Sequence, residues 1–460
     1  MTDLLGINRS KKRIAVLAFV GILFVCLFGQ AVHVSADEAL SNMVEGWPQM
    51  GEIGEESGMI MDADDCGIMY SLNRNTIRYP ASTTKIMTAL LVLENASLSD
   101  IVTMTGTGVQ MAISGSTNAG TVEGEEFTVE QCLYMLLLKS ANDIANQLAE
   151  HVAGSLDAFV SMMNDRAAKI GCTDTHFCNP SGMPDSEHYT TPEDLGLIMR
   201  EALKNDTFVK IAQAEKVTIP PTNKNPESRV YTNHNALVVK DSGYYYEDCI
   251  AGKTGYTDAA WRTFVAAAER DGRTLICVLM KGPDKTDFVD AARLFDYGFD
   301  NFEKIEVPGG SVTLPAGKSI DETGDDTVTL PDGRMHVNFY YNQLPVGSAD
   351  MTETEYCTLR GLPLPEVESV VSDTASGEAV GTEGPAGDNG SVSDKKASSG
   401  GWVSVLIILI LLCAIATGGL LLYKDHKEQK RQAERRRKVM ERRRAQEKLK
   451  NRDEDEDIDL

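Results

Sequence analysis

The chain has 460 residues, of which 42% are hydrophobic and 24% are charged, so it is long enough for more than one domain. Its 44 basic and 68 acidic residues give a formal net charge of −24. Residues 37–423 alone hold 26 basic and 56 acidic residues, a formal charge of −30. This charge argues against binding to nucleic acid or peripheral adhesion to an anionic lipid surface.

The amino-terminal residues 1–36 have the order of a secretory signal peptide. A basic run at 11–13 precedes the apolar stretch IAVLAFVGILFVCLFG, and the small residues Ser35 and Ala36 end the segment. The apolar stretch of 16 residues is long for a signal peptide, so a retained membrane anchor stays open as the alternative.

Residues 37–303 are predicted to form one α/β unit, more specifically of the α+β class. The stretch GMIMDADDCGIMYS has two apolar runs around an Asp-rich turn, and residues 261–282 have two more around Asp271-Gly272, so both predict β-hairpins. Helical periodicity with capping signals predicts helices at Ser82–Glu94, Thr128–Lys139, Ser155–Ile170, Pro192–Leu203 and Asp287–Phe299. Strands at both ends with helices between them indicate a mainly antiparallel sheet flanked by helices, with a helical lobe.

The carboxyl-terminal part of the sequence changes character three times. Residues 304–365 have short β-like runs broken by Gly, Pro and Asp, which predicts a small β-rich domain. Residues 366–401 are poor in apolar side chains and predict a disordered linker. Residues 402–423 are uncharged and long enough for one transmembrane helix.

The last segment, residues 424–460, indicates the orientation of this helix. From Lys424 to Arg452 it has 14 basic and 5 acidic residues, and it ends in an acidic tip. The positive-inside rule therefore places the tail in the cytoplasm and the preceding domains outside the cell membrane. The sequence thus predicts a single-pass membrane protein with an extracytoplasmic folded part.

Cysteines and histidines give no sign of a metal or another cofactor. Seven cysteines lie outside the two apolar stretches, an odd number without a Cys-x-x-Cys pair, which argues against a full disulfide framework and against a zinc site. Cys172 and Cys178 are the one tempting local pair, and the others are expected to be buried as small apolar side chains. The histidines do not cluster at ligand spacing, and we expect His188 to have a structural role.

Side chains capable of catalysis occur at the start of the first predicted helix, in the stretch PASTTK. Ser82 and Lys85 are three residues apart, so on a helix the amine can reach the hydroxyl. The apolar stripe that follows predicts burial, which lowers the pKa of a lysine and leaves a neutral amine able to take the serine proton. Alone the motif is weak, because helix capping explains it equally well and a second Ser-x-x-Lys begins at Ser393 in the predicted linker.

Two further motifs make the pattern specific. Ser140-Ala141-Asn142 lies at a break between two helical patterns, which puts a hydroxyl and an amide at a helix junction. Lys253-Thr254-Gly255 lies on a predicted strand, where a cation and a hydroxyl suit a substrate carboxylate and glycine allows close backbone approach. The three motifs follow one another at spacings of 58 and 113 residues. This order is the motif set of penicillin-binding proteins and class A β-lactamases.

From about Gly58 to Phe302 the sequence resembles the serine-type D-alanyl-D-alanine carboxypeptidases, which are the low-molecular-weight penicillin-binding proteins. The likeness extends beyond the motifs to the stretches YPASTTKIMTALLVLE, SANDIANQLAEHVAGS, TDTHFCNPSGMPDSEHYTTPEDLG, GKTGYTDAA and DAARLFDYGF. It implies a β-lactamase/DD-peptidase-like fold. It also implies removal of the terminal D-alanine from peptidoglycan stem peptides through an acyl-enzyme, with β-lactams as inhibitors.

The resemblance implies catalytic roles for four residues. Ser82 would be the acylated nucleophile, and Lys85 would be its general base. Ser140 and Asn142 would relay protons and hold the substrate amide. The same resemblance implies no cofactor, because the nucleophile and the base are both side chains of the protein.

The resemblance implies a second set of residues for binding the substrate. Lys253 and Thr254 would hold the terminal carboxylate, with Gly255 beside them. The backbone amides of Ser82 and Tyr256 would form the oxyanion hole. The two lysines of the site need opposite charge states, and each cation near the other helps to depress a pKa.

Three features depart from the family. Trp261 stands where the family commonly has a glycine, after the stretch TDAA, and it is expected to reshape the wall beside the site. The segment after residue 304 resembles the second domain of the family only weakly and is short. A spanning helix with a basic tail also replaces the amphipathic membrane helix of many relatives.

Three other functions are weighed against the carboxypeptidase. A β-lactamase would share the acylation apparatus, but the loop with the deacylating glutamate of class A enzymes is not evident in the stretch NPSGMPDSEHYTT. A DD-endopeptidase that cuts cross-links would use the same residues. A catalytically idle wall-sensing protein, with the tail signalling inward, would not need the intact motif residues.

Overall fold

A five-stranded antiparallel sheet lies at the centre of the fold. In the computed structural model, which describes residues 40–113 and 116–364, the order of these strands is β2-β1-β9-β8-β7. The predicted hairpins at 58–71 and 261–282 are both confirmed, as β1–β2 and β8–β9. The strands are β1 (Ser57–Asp62), β2 (Ile68–Leu72), β7 (Cys249–Thr257), β8 (Trp261–Arg270) and β9 (Arg273–Gly282).

The central sheet is covered on both faces, which explains why its inner strands read as unbroken apolar runs. Successive side chains of β1 point to opposite faces of the sheet. Gly196, on helix α6 (Pro192–Leu203), lies against Met59 and Met61, whereas Gly298, on helix α8 (Asp287–Asn301), lies against Ile60. The two helices therefore pack on opposite sides of β1, and β1 itself is buried throughout.

A lobe of helices packs around α1, whose residues from Lys85 to Val92 are all buried. The predicted caps are present, including the capping box between Thr128 and Gln131 and the left-handed Gly171 at the end of α5. The other helices of the lobe are α2 (Gly106–Val109), α3 (Val129–Leu137), α4 (Asn142–Ala153), α5 (Leu156–Ile170), α6 and α7 (Asp206–Ala212), with α1 covering Lys85–Asn95. Two short hairpins complete the lobe: β3 (Ile101–Thr103) with β4 (Glu126–Thr128), and β5 (Lys216–Ile219) with β6 (Arg229–Thr232).

The first predicted helix differs from the expectation at its start. Instead of beginning as an α-helix at Ser82, it begins with a 3-10 turn at Ala81–Thr84, and the α-helix follows from Lys85. No side chain caps either segment, so Ser82 does not serve as a helix cap. The threonine hydroxyl of Thr83 instead donates to the Pro80 carbonyl at 2.8 Å, which tightens the first turn.

A second five-stranded antiparallel sheet follows directly after α8, in the order β10-β11-β14-β13-β12. It belongs to the same compact unit as the first sheet, and Trp47 packs against Phe302 and Tyr341 between them. A short helix, α9 (Glu353–Leu359), is the last secondary-structure element of the described residues and was not expected from the β-like pattern. The strands are β10 (Phe302–Val307), β11 (Gly310–Pro315), β12 (Gly324–Thr329), β13 (Met335–Tyr341) and β14 (Leu344–Met351).

Four predicted segments lie outside the described residues: the signal peptide (1–36), the linker (366–401), the transmembrane helix (402–423) and the tail (424–460). Within residues 40–113 and 116–364, no helix has both the length and the apolarity needed to cross a bilayer. The seven cysteines of the same part of the chain are free, and most are buried. Cys172 and Cys178 therefore form no disulfide with each other.

Candidate active site

The Ser82 hydroxyl lies in the 3-10 turn that leads into α1. Pro80, just before this turn, is held by strand β8, because the Thr263 hydroxyl donates to its carbonyl at 2.8 Å. Ala81 has the positive φ of 51°, an unusual conformation for a residue with a side chain. The turn is therefore fixed from both sides, by its own hydrogen bonds and by the sheet, and it presents Ser82 at the junction of the lobe and the sheet.

Lys85 is completely buried and lies within hydrogen-bond distance of three oxygens. Its Nζ is 3.1 Å from the Ser82 Oγ, 2.6 Å from the Asn142 Oδ1 and 2.6 Å from the Ser181 carbonyl oxygen. Burial, and then the positive charge of Lys253, hold the pKa of Lys85 well below the usual value for lysine. A neutral amine can donate its two N–H groups to the two carbonyl oxygens, which leaves its lone pair for the Ser82 hydroxyl proton.

Ser140 and Asn142 lie where α3 gives way to α4, as the sequence predicts. Ser140 adopts a φ of 62°, and its buried Oγ has no hydrogen-bond partner among the described residues. The Asn142 side-chain amide has two partners: its oxygen accepts a hydrogen bond from Lys85, and its nitrogen lies 3.6 Å from the Met183 sulfur. A buried hydroxyl without a partner is rare in folded proteins, and here it is available to a substrate or a proton relay.

Strand β7 is the edge strand beside Ser82, and it bears the Lys-Thr-Gly motif. Lys253 is buried, its Nζ donates to the Thr254 carbonyl at 2.8 Å, and burial lowers its pKa to about 7. A Cβ at Gly255 would lie 2.9 Å from the Ser82 backbone nitrogen and 2.3 Å from the Thr263 Oγ1. Only glycine permits this approach, which brings the backbone of β7 against the Ser82 amide. Tyr256 follows at the rim and is exposed.

The turn Asn179–Met183 contributes groups that the motif analysis missed. The Asn179 Oδ1 accepts backbone N–H groups from Ser181, Gly182 and Met183, and the Ser181 carbonyl accepts from Lys85. Gly182 has a φ of 82°, and a Cβ there would lie 1.8 Å from the Ala81 carbonyl oxygen. The Asn-Pro-Ser-Gly sequence is a recognisable turn signal, but nothing local to it indicates a contact with the general base.

His188 stabilises the same turn region, as expected for a structural residue. The Cys178 backbone N–H donates to its Nδ1 at 3.0 Å, so the ring proton sits on Nε2 and is donated to the Thr84 Oγ1 at 2.8 Å. Burial lowers the pKa of His188 to about 4, which keeps the ring neutral near pH 7. The imidazole thus connects the turn to the start of α1 without touching Ser82 or Lys85 in this network.

Gly182→Ala is predicted to disrupt the site by steric contact with the backbone before Ser82. We expect a loss of stability of roughly 3 kcal/mol or more and a loss of penicillin labelling. Gly154→Ala is the matched control, because Gly154 has a similar φ of 78° but a Cβ there meets open space. It should cost about 1 kcal/mol and leave labelling intact. Urea denaturation and labelling of both variants measure this; equal losses would contradict the predicted contact.

Fold and site together define an active-site serine enzyme of the DD-peptidase/β-lactamase-like class. The model of the D-alanyl-D-alanine carboxypeptidase family, peptidase S11, matches residues 44–284, which is more than half of the chain, so the chain belongs to this family. The match agrees with the resemblance that the motifs indicate. It also covers all eight of the predicted site residues.

Relatives with known names and structures agree with this assignment. D-alanyl-D-alanine carboxypeptidase DacB2 of Mycobacterium tuberculosis is 35% identical over 250 residues, which are 53% of this chain and 82% of that protein. The D-alanyl-D-alanine carboxypeptidase of Streptomyces sp. strain K15 is 31% identical over 268 residues, 55% of this chain and 88% of that protein. These similarities are to proteins of the same named activity.

Solved structures show the same fold. The crystal structure of D-alanyl-D-alanine carboxypeptidase from Mycobacterium tuberculosis is similar with a TM-score of 0.51 and 32% identity, over 56% of this chain and 95% of that one. The Streptomyces K15 DD-transpeptidase is similar with a TM-score of 0.51 and 30% identity, over 55% of this chain and 100% of that one. The predicted α+β fold of the DD-peptidase/β-lactamase-like class is therefore confirmed.

Proposed function

We propose that this protein is a serine DD-carboxypeptidase that removes the terminal D-alanine from peptidoglycan stem peptides through an acyl-enzyme on Ser82. The observation that carries the proposal is the contact between the Ser82 Oγ and the Nζ of a completely buried lysine, Lys85. Such a pair supplies a nucleophile and a base in one rigid turn, and β-lactams are expected to inhibit it by acylating the same oxygen.

In the first half of the reaction, Lys85 takes the proton of Ser82 as its Oγ attacks the carbonyl carbon of the last peptide bond. The backbone N–H groups of Ser82 and Tyr256 stabilise the negative charge on the carbonyl oxygen. The C–N bond then breaks, and the D-alanine amine takes a proton that reaches it from Lys85 through the Ser140 hydroxyl. Asn142 holds the amide of the substrate while its oxygen keeps Lys85 in place.

In the second half, water replaces D-alanine. Lys85, neutral again, takes a proton from the water while the water oxygen attacks the carbonyl carbon of the ester. Lys85 then gives this proton to the Ser82 oxygen as the ester bond breaks. Lys253 and Thr254 hold the carboxylate of the leaving residue only in the first half, because that carboxylate departs with D-alanine. The water can then enter the place that D-alanine leaves.

We also propose that the protein is anchored in the cell membrane with its catalytic part outside. The support is the uncharged stretch at 402–423, the basic tail after it and the signal-like residues 1–36. The linker at 366–401 would give the catalytic part reach over nearby cell wall. Protease treatment of intact cells should remove the catalytic part and leave a membrane-bound tail; a fully protected chain would contradict this orientation.

Product analysis tests the proposed activity directly. The purified full chain is incubated with a pentapeptide ending in D-alanyl-D-alanine, and free D-alanine and tetrapeptide are measured. A parallel incubation with a fluorescent penicillin is digested, and the labelled peptide is expected to contain Ser82. Rapid turnover of the penicillin would indicate a β-lactamase, and absence of both products and label would indicate an idle wall-binding protein.

The opposite charge states of the two lysines predict a specific pH dependence of kcat/KM, which reports groups of the free enzyme. As pH rises through about 7, Lys253 loses its proton and the substrate carboxylate loses a cationic partner, so kcat/KM should fall. As pH falls, Lys85 gains a proton and can no longer act as a base, so kcat/KM should fall again.

Lys253→Arg tests the assignment of the alkaline limb. Arginine stays protonated in proteins, so the decline above about pH 7 should disappear in this variant, whereas the acid decline due to Lys85 should remain. Profiles of D-alanine release from about pH 5 to pH 10 measure both limbs. An alkaline decline that is unchanged in Lys253→Arg would show that another group controls it.

A further inference from the structure

A cavity of about 250 Å³ opens beside the catalytic centre and contains none of the residues assigned a role above. We call it the aromatic pocket; its apolar lining is Ile77, Tyr79, Tyr189, Ala259 and Ala260. Four segments form it: the run before Ser82, the loop after the Asn179–Met183 turn, the β7–β8 hairpin and the end of β9. The first three adjoin Ser82, the Asn179–Met183 turn and Gly255 along the chain, so the pocket and the catalytic centre share one framework.

Backbone hydrogen bonds and ion pairs preform the aromatic pocket. Arg78 and Thr190 exchange two backbone bonds, of 2.7 and 2.9 Å, which join the first two segments. The two cations in the lining, Arg78 and Lys281, both pair with Glu56, at 3.5 and 2.8 Å. Because Glu56 pairs with both cations, the pocket is built for an uncharged group rather than for an anion.

Trp261 extends the apolar surface next to the aromatic pocket. It directly follows Ala260, lies opposite Thr257 in the hairpin and is 48% exposed. Its φ of 58° costs about 1 kcal/mol or more for a residue with a side chain, and an exposed ring does not recover this by burial. The left-handed residue belongs to the β7–β8 turn, and the chain has a large exposed aromatic ring there although glycine would be less strained.

The chemistry of the lining fits a sugar ring. Aromatic faces carry partial negative charge and attract the C–H face of a pyranose, while its hydroxyl groups can remain in water. Ala259 and Ala260 add small apolar side chains to the lining. The volume of the pocket lies below the roughly 300–1,000 Å³ of sites for drug-sized ligands. A single ring of an N-acetylated sugar is therefore a suitable occupant.

The substrate of the proposed reaction brings such a ring within reach. Four residues of a pentapeptide stem separate the scissile bond from the glycan, and an extended chain of four residues spans at most about 14 Å. Tyr79 is only three residues before Ser82, so their Cα atoms are at most about 11 Å apart. A sugar on the same glycan strand can thus enter the aromatic pocket while its peptide is at Ser82.

From these observations we infer that the aromatic pocket binds a sugar ring of the glycan strand that carries the stem peptide under hydrolysis. The inference rests on the proposed DD-carboxypeptidase function and deepens it, because it makes glycan-attached peptides the preferred substrate class. Free peptides would use the catalytic centre alone.

The test compares kcat/KM for D-alanine release from a disaccharide-pentapeptide and from the free pentapeptide. The full chain should prefer the disaccharide form by roughly tenfold. Ala259→Phe fills the pocket and Trp261→Gly removes the adjacent ring while relieving the strained backbone; both should bring the ratio towards one. Two variants in turns of the second sheet, Ala316→Phe at an exposed alanine and Asn342→Gly at a φ of 55°, are matched controls and should keep the wild-type ratio.

The outcomes separate failure of this inference from failure of the proposed function. Absence of D-alanine release from both substrates overturns the proposed function itself. Release with equal kcat/KM for the two substrates, or a preference retained in either Ala259→Phe or Trp261→Gly, overturns the sugar site alone. If a sugar-free cross-linked peptide dimer shows the variant-sensitive preference instead, the occupant is a second stem peptide and the glycan assignment is wrong.

Discussion

Ser82→Ala is expected to lower D-alanine release by about 10⁴-fold or more and to abolish covalent labelling by penicillin. The reason is that the Ser82 Oγ is the one hydroxyl in contact with Lys85 in the described part of the chain, at 3.1 Å from its Nζ. Alanine removes the nucleophile and leaves the surrounding turn intact, because the serine side chain caps no helix. Fluorescent penicillin labelling and D-alanine assays of the purified full chain measure the two effects.

Ser155→Ala is the matched control for this substitution. The Ser155 hydroxyl caps α5 by accepting the Ala158 N–H at 3.2 Å, so its removal should cost about 1 kcal/mol of stability without reducing labelling. Ser82→Ala should show the reverse pattern, with near-normal stability and no label. Label that persists in Ser82→Ala would remove the basis for the proposed acyl-enzyme.

Lys85→Met is expected to slow acylation by about 10²- to 10⁴-fold, the range that a general base contributes. Methionine has a similar length but no lone pair for the Ser82 proton. The nucleophile and the oxyanion donors remain, so slow labelling at Ser82 should still be detectable by mass spectrometry after long incubation. This residual labelling distinguishes loss of a base from loss of the nucleophile.

Lys85→Met is also expected to lower the stability of the protein. The substitution leaves the Asn142 Oδ1 and the Ser181 carbonyl without the Lys85 donor, which should cost about 1–3 kcal/mol for each oxygen that water cannot reach. Acylation is therefore compared at a temperature where denaturation curves show both proteins to be fully folded. A wild-type acylation rate in folded Lys85→Met would assign the base role to another group.

The two lysines of the site are expected to have opposite charge states because their surroundings differ. Both are buried, but Lys85 faces two carbonyl oxygens, a hydroxyl and the charge of Lys253, whereas the lowered pKa of Lys253 has burial alone as its cause. A bound carboxylate would favour the charged form of Lys253 and, through it, keep Lys85 neutral. Substrate binding thereby prepares the base for its step.

Much of the fold could be predicted because its signals are local. Capping boxes, helix-ending glycines and Asp-Gly turns act within a few residues, so the helix Pro192–Leu203 and the hairpin at 261–282 are found where the sequence predicts them. The short hairpins β3–β4 and β5–β6 were missed, since strands of three or four residues carry little periodicity. The helix after the second sheet was missed for a similar reason.

The sequence by itself determined which residues form the candidate site, because three motifs in a fixed order are specific even when each is weak. It could not determine how they meet. The Ser181 carbonyl on Lys85, 96 residues away along the chain, and the fit of Gly182 and Gly255 against the Ser82 turn were decided only by the tertiary structure. These contacts depend on the pairing of distant strands and on the packing of the lobe against the sheet, for which no local propensity exists.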